Sequence, residues 1–516
     1  MKTHLKNLLL FLSLLFYNNA TAQDRNSIWV FGDSAGIDFS NVANPVPFLS
    51  NCNSDGSSAS IADSAGNLLF YTAASPDYLS VPLFGYNGVI YNKQFQQMDN
   101  GDSIISIPRL NGTMIIPNPA ANNQYYVFNV LTNSNSYPFH GNFYSLVDLN
   151  YNNGLGKVIK KNVPLNSFTY AIDAIGAVKH GNGRDWWVVF KPLYLDAIGN
   201  HVPSDTFYVY LVTPDSIHQP LIQPIGNDST GSLANFTFSP DGSKFATVCH
   251  TGKIETFSFN RCTGQLSDPV LVYNVFFTIN YNNLFSGCAF SPDGNLLYVT
   301  QGTYLPPYYI LQVNLSNNNI DTIAQVTSFN TQFTRGTGTL RLGPDNRIYI
   351  ATITRDSTGG IWYPYPNYFY SPDNMYIATV DSPNIIGSGC SYNPYSFYLG
   401  GARCYFGLPN NPDYELGALQ GSGCDTLTAL KQDPEIAKNN LFVYPNPAKD
   451  FVTIAFSKAV RTTCNLRLFN VLNKEVYRQN FVQQKVTVPI ANLAKGIYIV
   501  EVSNNGFKEY AKFVKE

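Results

Sequence analysis

His180, Arg184, Trp186 and Trp187 fall within one short stretch, Lys179-His-Gly-Asn-Gly-Arg-Asp-Trp-Trp187. An imidazole, a guanidinium and two indoles side by side could hold a sugar or another polar ligand, the rings stacking and the polar groups hydrogen bonding. The same stretch also suits the turn before a core strand, where glycines and polar residues are expected whatever the function. The indoles would then pack between sheets. Eight cysteines carry a second kind of chemistry. Cys249 and Cys262 flank one expected hairpin, and Cys390 and Cys404 lie close in sequence, so these are the candidate disulfides. None has C-x-x-C spacing and only Cys249 adjoins a histidine, so no metal site is expected from them. Asp33, Asp38 and Asp63 lack a D-x-D-x-D-G calcium loop. With no G-x-S-x-G, H-E-x-x-H or Walker sequence, no catalytic residue is named and no cofactor is expected.

Such side chains need a frame, and a repeat supplies it. Short apolar strands that follow a turn begin at Gly66, Asn123, Gly183, Gly242, Gly294 and Asn346, at intervals of 52 to 60 residues. The clearest copies read Phe238-Ser-Pro-Asp-Gly242 and Phe290-Ser-Pro-Asp-Gly294, with a decayed Leu342-Gly-Pro-Asp-Asn346. Proline presets one turn angle, aspartate caps the turn, and glycine or asparagine tolerates positive φ. A second strand pair follows, as in Tyr309–Leu315 and Ile320–Val326. Four short antiparallel strands per repeat describe a propeller blade. Arg403–Asn410 resembles a strand entering the turn and Ser27–Gly32 a strand leaving it, so the two ends joined in space would complete one more blade and remove exposed edges. The expected fold is all-β: a seven-bladed β-propeller, with six or eight blades as the alternatives, followed by a small β-sandwich.

Charged residues make up 13% and aromatic residues 14% of the 516 residues, with a net charge of −2. That excludes a coiled coil, a charge-rich disordered chain and a basic nucleic-acid binder. Lys2 and Lys6, an apolar run from Leu8 to Phe16, and Ala20-Thr-Ala22 form a secretory signal over residues 1–23. The apolar run is too short to span a bilayer and no later one is long enough, so no transmembrane span is expected. The propeller is assigned to 24–415 and a linker to 416–438. Residues 439–516 hold eleven Lys and Arg against five Asp and Glu, dispersed along strands.

That last segment has short strands at sandwich spacing. Tyr444-Pro445-Asn446-Pro447, the Leu468–Asn473 strand and turn, Gly496-Ile-Tyr498, and the final Lys512-Phe-Val-Lys515 appear in order. Together they resemble the type A C-terminal sorting domain of the type IX secretion system. The resemblance implies that the chain is exported through the periplasm to the cell surface or medium, with the type IX machinery as the partner of its tail. Trp29–Phe39, Ser60–Tyr71, Asn152–Val158, Ala177–Val188 and Gly407–Asn410 resemble the N-terminal propellers of secreted and gliding-associated surface proteins of bacteria with this system. That family has no well-defined catalytic set to carry over. The expected function is a displayed or released propeller that binds a glycan or protein through aromatic, Asn-rich loops, not nucleic acid. The alternative is a secreted polysaccharide hydrolase or lyase whose carboxylates meet in the channel.

Overall fold

The turns that generate the repeat are visible atom by atom in the computed structural model. Ser239 N–H donates to Lys244 O (3.0 Å) and Gly242 N–H to Ser239 O (2.8 Å), while Lys244 N–H returns to Ser239 Oγ (2.9 Å). Ser291, Gly294 and Leu296 repeat the pattern at 2.8, 2.9 and 2.9 Å. Asp241 and Asp293 cap Ser243 N–H and Asn295 N–H. Gly242 (φ +72°), Gly294 (φ +68°) and Asn346 (φ +63°) occupy the left-handed position that these residue types enter most readily.

The structure describes residues 24–74, 88–106, 111–131, 141–165, 170–195, 201–202, 204–229, 234–250, 252–274, 285–302, 308–326, 333–356, 372–425, 441–456, 463–470, 474–503 and 508–516. The expected signal, 1–23, lies outside them. Residues 1–428 and 429–516 form separate compact units.

Seven antiparallel sheets make up the first unit's blades. In chain order their strands are 28–31, 33–38 and 46–53; 58–62, 68–74 and 88–92; 113–117, 124–131, 141–148 and 157–164; and 176–179, 186–190, 204–212 and 221–229. They continue with 234–238, 244–249, 253–260 and 265–274; 285–290, 296–301, 308–314 and 319–326; and 333–342, 348–356, 376–380 and 392–398. A small sheet of 170–171, 192–195 and 201–202 accompanies them. Burial falls from the first strand outward. Every residue of Phe285–Phe290 is buried, whereas in Asn319–Val326 only Val326 is. This explains why first strands are continuously apolar: both faces of an inner strand meet neighbouring blades. Aromatic rings fill the widening wedges outside them, as where Phe207 meets Phe236, Phe245 and Phe257 with centroids 5.5–6.0 Å apart.

The two ends meet, but at one isolated bridge: 403–410 forms no strand to complete the first sheet. Asp33 and Arg403 exchange both backbone hydrogen bonds, at 2.9 and 3.0 Å, and their side chains form an ion pair. Gly32 (φ +59°) permits this approach, because a Cβ there would lie 2.3 Å from Arg403 O.

The second unit is a two-sheet sandwich. Strands 441–444, 451–456 and 485–489 form one sheet; 475–481, 464–470, 496–503 and 508–515 form the other in that order. Alternating residues such as Leu466, Leu468, Val500, Val502 and Phe513 make its core, the period-2 pattern of strands with one buried face.

Candidate functional site

The stretch from His180 to Trp187 is the fourth sheet's version of the repeated turn. His180 N–H donates to Asp185 O and Gly183 N–H to His180 O, as serine and glycine do in the Ser-Pro-Asp-Gly copies. His180 Nδ1 accepts Asn182 N–H (3.0 Å) and Nε2 faces Cys262 O (3.1 Å). Arg184 forms an ion pair with Asp185 at 2.7 Å. Trp186 and Trp187 are buried. Trp187 Nε1–H donates to Arg261 O (2.7 Å), and Trp186 packs edge-on against Tyr414. Of the four expected ligand-binding residues, only Arg184 reaches solvent substantially, and the indoles offer no face for stacking. The plainer reading describes this geometry.

What this turn does hold is another part of the same chain. Leu419 N–H donates to Gly181 O (2.7 Å), and Arg261 donates to Lys179 O (2.9 Å) and to Gly417 O. A Cβ at Gly181 would sit 2.3 Å from Cys424 Sγ. The disulfide joins Cys262 to Cys424, with Cα atoms 5.4 Å apart. Neither expected bridge forms: Cys249, Cys390 and Cys404 are free and buried. Cys249 ends the strand that Cys262's hairpin leaves from the opposite end, and Cys390 and Cys404 belong to different core clusters. Burial pushes the Cys404 thiol up to about 12. Residues 416–425, assigned to the linker, thus strap onto the fourth and fifth sheets.

Leading into this strap, residues 405–414 run through the ring. Thr339 N–H donates to Phe406 O, and Phe406 N–H to Asp55 O. Asn410, fully buried, donates from Nδ2 to the carbonyls of Asn111, Thr113 and Ile175, each at 3.1 Å, and accepts from Arg341. Tyr414 Oη donates to Ile115 O (3.0 Å). One amide side chain therefore touches the inner strands of several blades, and sequence patterning had no means of flagging it. Beside the segment lies a cavity of about 300 Å³ lined by Asp24, Met114, Phe236, Phe290, Arg341 and Asp413 among others. Burial raises the Asp24 and Asp413 carboxyls and lowers Lys179. Among the described residues no cluster of three or more His, Cys, Asp or Glu could hold a metal ion. Asp33 is paired with Arg403, and Asp63 caps Ala65 and Asn67.

In the second unit the motif residues converge on the last strand. Asn446 accepts Val514 N–H (2.9 Å) and donates to Lys512 O (3.3 Å). Gly496 pairs with Lys515, and Tyr498 with Phe513, whose rings stack at 5.5 Å. Lys485 Nζ lies over the Tyr444 ring.

The fold and these sites define a secreted β-propeller carrying a sorting module. Residues 442–516 match the family model of the secretion system C-terminal sorting domain, which marks the protein for type IX export to the cell surface or extracellular space. Among solved structures, PorZ of Porphyromonas gingivalis, a surface component of the type IX secretion system, is similar at 11% identity, covering 97% of this chain and 88% of its own, with TM-score 0.24. A putative 6-phosphogluconolactonase from Bacteroides uniformis matches at 15% identity over 56% of this chain and 93% of its own (TM-score 0.30). The Cps50 (Swd1) β-propeller domain of Myceliophteria thermophila matches at 10% identity over 64% and 93% (TM-score 0.35). Likenesses this distant carry no argument about activity or partners. No curated protein matches the chain. No helix among the described residues is long and apolar enough to cross a membrane.

Proposed function

We propose that the propeller is a binding module, displayed or released after type IX export, that holds a glycan or protein partner on one face of the ring. The supporting observation is topological. In each four-stranded sheet the second-to-third connection and the exit to the next sheet leave from the same end, opposite the Ser-Pro-Asp-Gly turns. The residues joining strands there include Phe276, Phe277, Tyr304, Trp362, Tyr363 and Tyr365. These connections lie outside the described residues; in composition, aromatic side chains with asparagines suit carbohydrate or protein contact. A glycan array and pull-downs with the secreted protein should return a ligand whose binding weakens on Trp362→Ala with Tyr363→Ala. Loss of no binding in that variant would overturn the reading.

A second reading, hydrolase or lyase, has its own support: Asp24, Asp413 and Glu415 share the channel-mouth cavity. Asp413 Oδ1 already accepts two backbone N–H groups and Glu415 pairs with Arg25, which favours a structural role for these carboxylates. Turnover of a polysaccharide panel, abolished by Asp413→Asn with Glu415→Gln, would establish the enzyme instead.

A further inference from the structure

Arg341 lies at 8% exposure on the inner strand 333–342 and lines the channel-mouth cavity. Its hydrogen-bond partners among the described residues are neutral: Nη2 donates to the amide oxygens of Asn111 and Asn410. Its Nε–H, and the Nδ2 of neighbouring Asn111, have no partner among the described residues. No described carboxylate forms an ion pair with it. A buried guanidinium without a countercharge is costly, and native interiors pair such groups. Burial accordingly lowers its pKa to about 10.

The acids at the cavity rim do not supply the missing charge. Asp413 and Glu415 act on Lys179, and Asp413 together with Asp241 on Arg261, cations that stand outside the cavity lining. Arg25 pairs with Glu415 at 3.8 Å. Among the described residues Arg341 has no carboxylate partner at the cavity wall. Part of the lining around it is apolar, including Met114, Phe236, Phe238, Phe290 and Leu342. A guanidinium edge matches the geometry of a carboxylate, and a volume of about 300 Å³ is at the small end of ligand sites.

We propose that this cavity binds a small organic carboxylate, its charge on Arg341 and its apolar body against the phenylalanines. The site is independent of the loop face argued above, so either can fail without the other. Sodium benzoate is a suitable probe, titrated into the full chain at ionic strength held constant with sodium chloride. The melting temperature should rise saturably with benzoate, and Arg341→Gln should weaken the Kd measured by calorimetry by about tenfold or more, the loss expected for a charge-assisted contact. No benzoate response, an equal response to sodium sulfate, or an unchanged Kd in Arg341→Gln would overturn the proposal. Leu416→Trp keeps the guanidinium but narrows the mouth and should also lose the response. Should either variant fail to fold, crystals of the unaltered protein soaked in 4-bromobenzoate decide the matter: the bromine should lie among Phe236, Phe238 and Phe290, and bromine found only elsewhere would refute the site.

Discussion

Cys424 shows what single-residue reading can and cannot recover. Its partner Cys262 is 162 residues away, and nothing local distinguishes it from seven other thiols. A shared hairpin favoured Cys249–Cys262 and closeness in sequence favoured Cys390–Cys404, yet Cys249 and Cys262 stand at opposite ends of their strand pair and cannot be bridged. The His180–Trp187 stretch was legible as a turn, because its glycines and polar residues serve backbone groups. Its role in seating the 416–425 strap was not, since that depends on Gly181 having no Cβ where the disulfide passes. The strap makes a direct prediction. Cys424→Ser should lower the unfolding free energy by ~2–4 kcal/mol under oxidising conditions, the usual value for a disulfide closing a long loop. Reductant should impose the same loss on the unaltered protein in denaturant titrations. Equal midpoints for the oxidised protein and the variant would show that the strap holds without the bond.

Among elements, the blades were the most readable feature, because each rests on a turn whose chemistry is local. Serine, proline, aspartate and glycine at fixed offsets define the hydrogen bonds of 239–244 and 291–296 before any tertiary contact forms. The closing blade was legible only as two half-patterns, Ser27–Gly32 and Arg403–Asn410; that the latter continues through the ring as a plug was not, since Asn410 and Tyr414 work by long-range hydrogen bonds without periodicity. Two predictions belong here. At Gly32, alanine would bring a Cβ within 2.3 Å of Arg403 O at φ +59°, so Gly32→Ala should destabilise the unit by ~1–3 kcal/mol from backbone strain alone, read as a lower melting temperature. At Asp241, burial would raise the carboxyl, but hydrogen bonds from Ser239 and Ser243 outweigh it and hold the value below 3.8. A depressed native pKa contributes stability above the unfolded value that is lost as pH falls through the native one. The stability gap between the protein and Asp241→Asn should therefore be full at neutral pH and shrink below pH 3.8 in acid titrations followed by circular dichroism. A gap independent of pH would assign the turn's stability to geometry rather than charge.

For the whole molecule, export and folding separate along the chain. The sorting module has its own core, built from residues 441–513, and the propeller closes on itself through Asp33 and Arg403. Deleting 439–516 should therefore leave the propeller folded but retained in the periplasm, as fractionation would show; delivery to the medium would refute the tail's role in export. The sequence-based boundary at 415 falls immediately before the strap of 416–425. A chain ending at Thr428 retains Cys424, the Leu419 bond to Gly181 and the Arg261 bond to Gly417; one ending at Glu415 loses all three and leaves Cys262 a free thiol beside Gly181. The shorter chain should melt lower, by the disulfide's contribution together with the lost docking contacts, and its Cys262 should react with a thiol reagent in the native state. Trimming of the exported protein should then cut between residues 425 and 441, releasing a product whose intact mass still contains the closed Cys262–Cys424 bond. A mature form cut before Cys424 would mean that the strap is discarded with the tail, and that the ring is held by its blades and the Asp33–Arg403 closure alone.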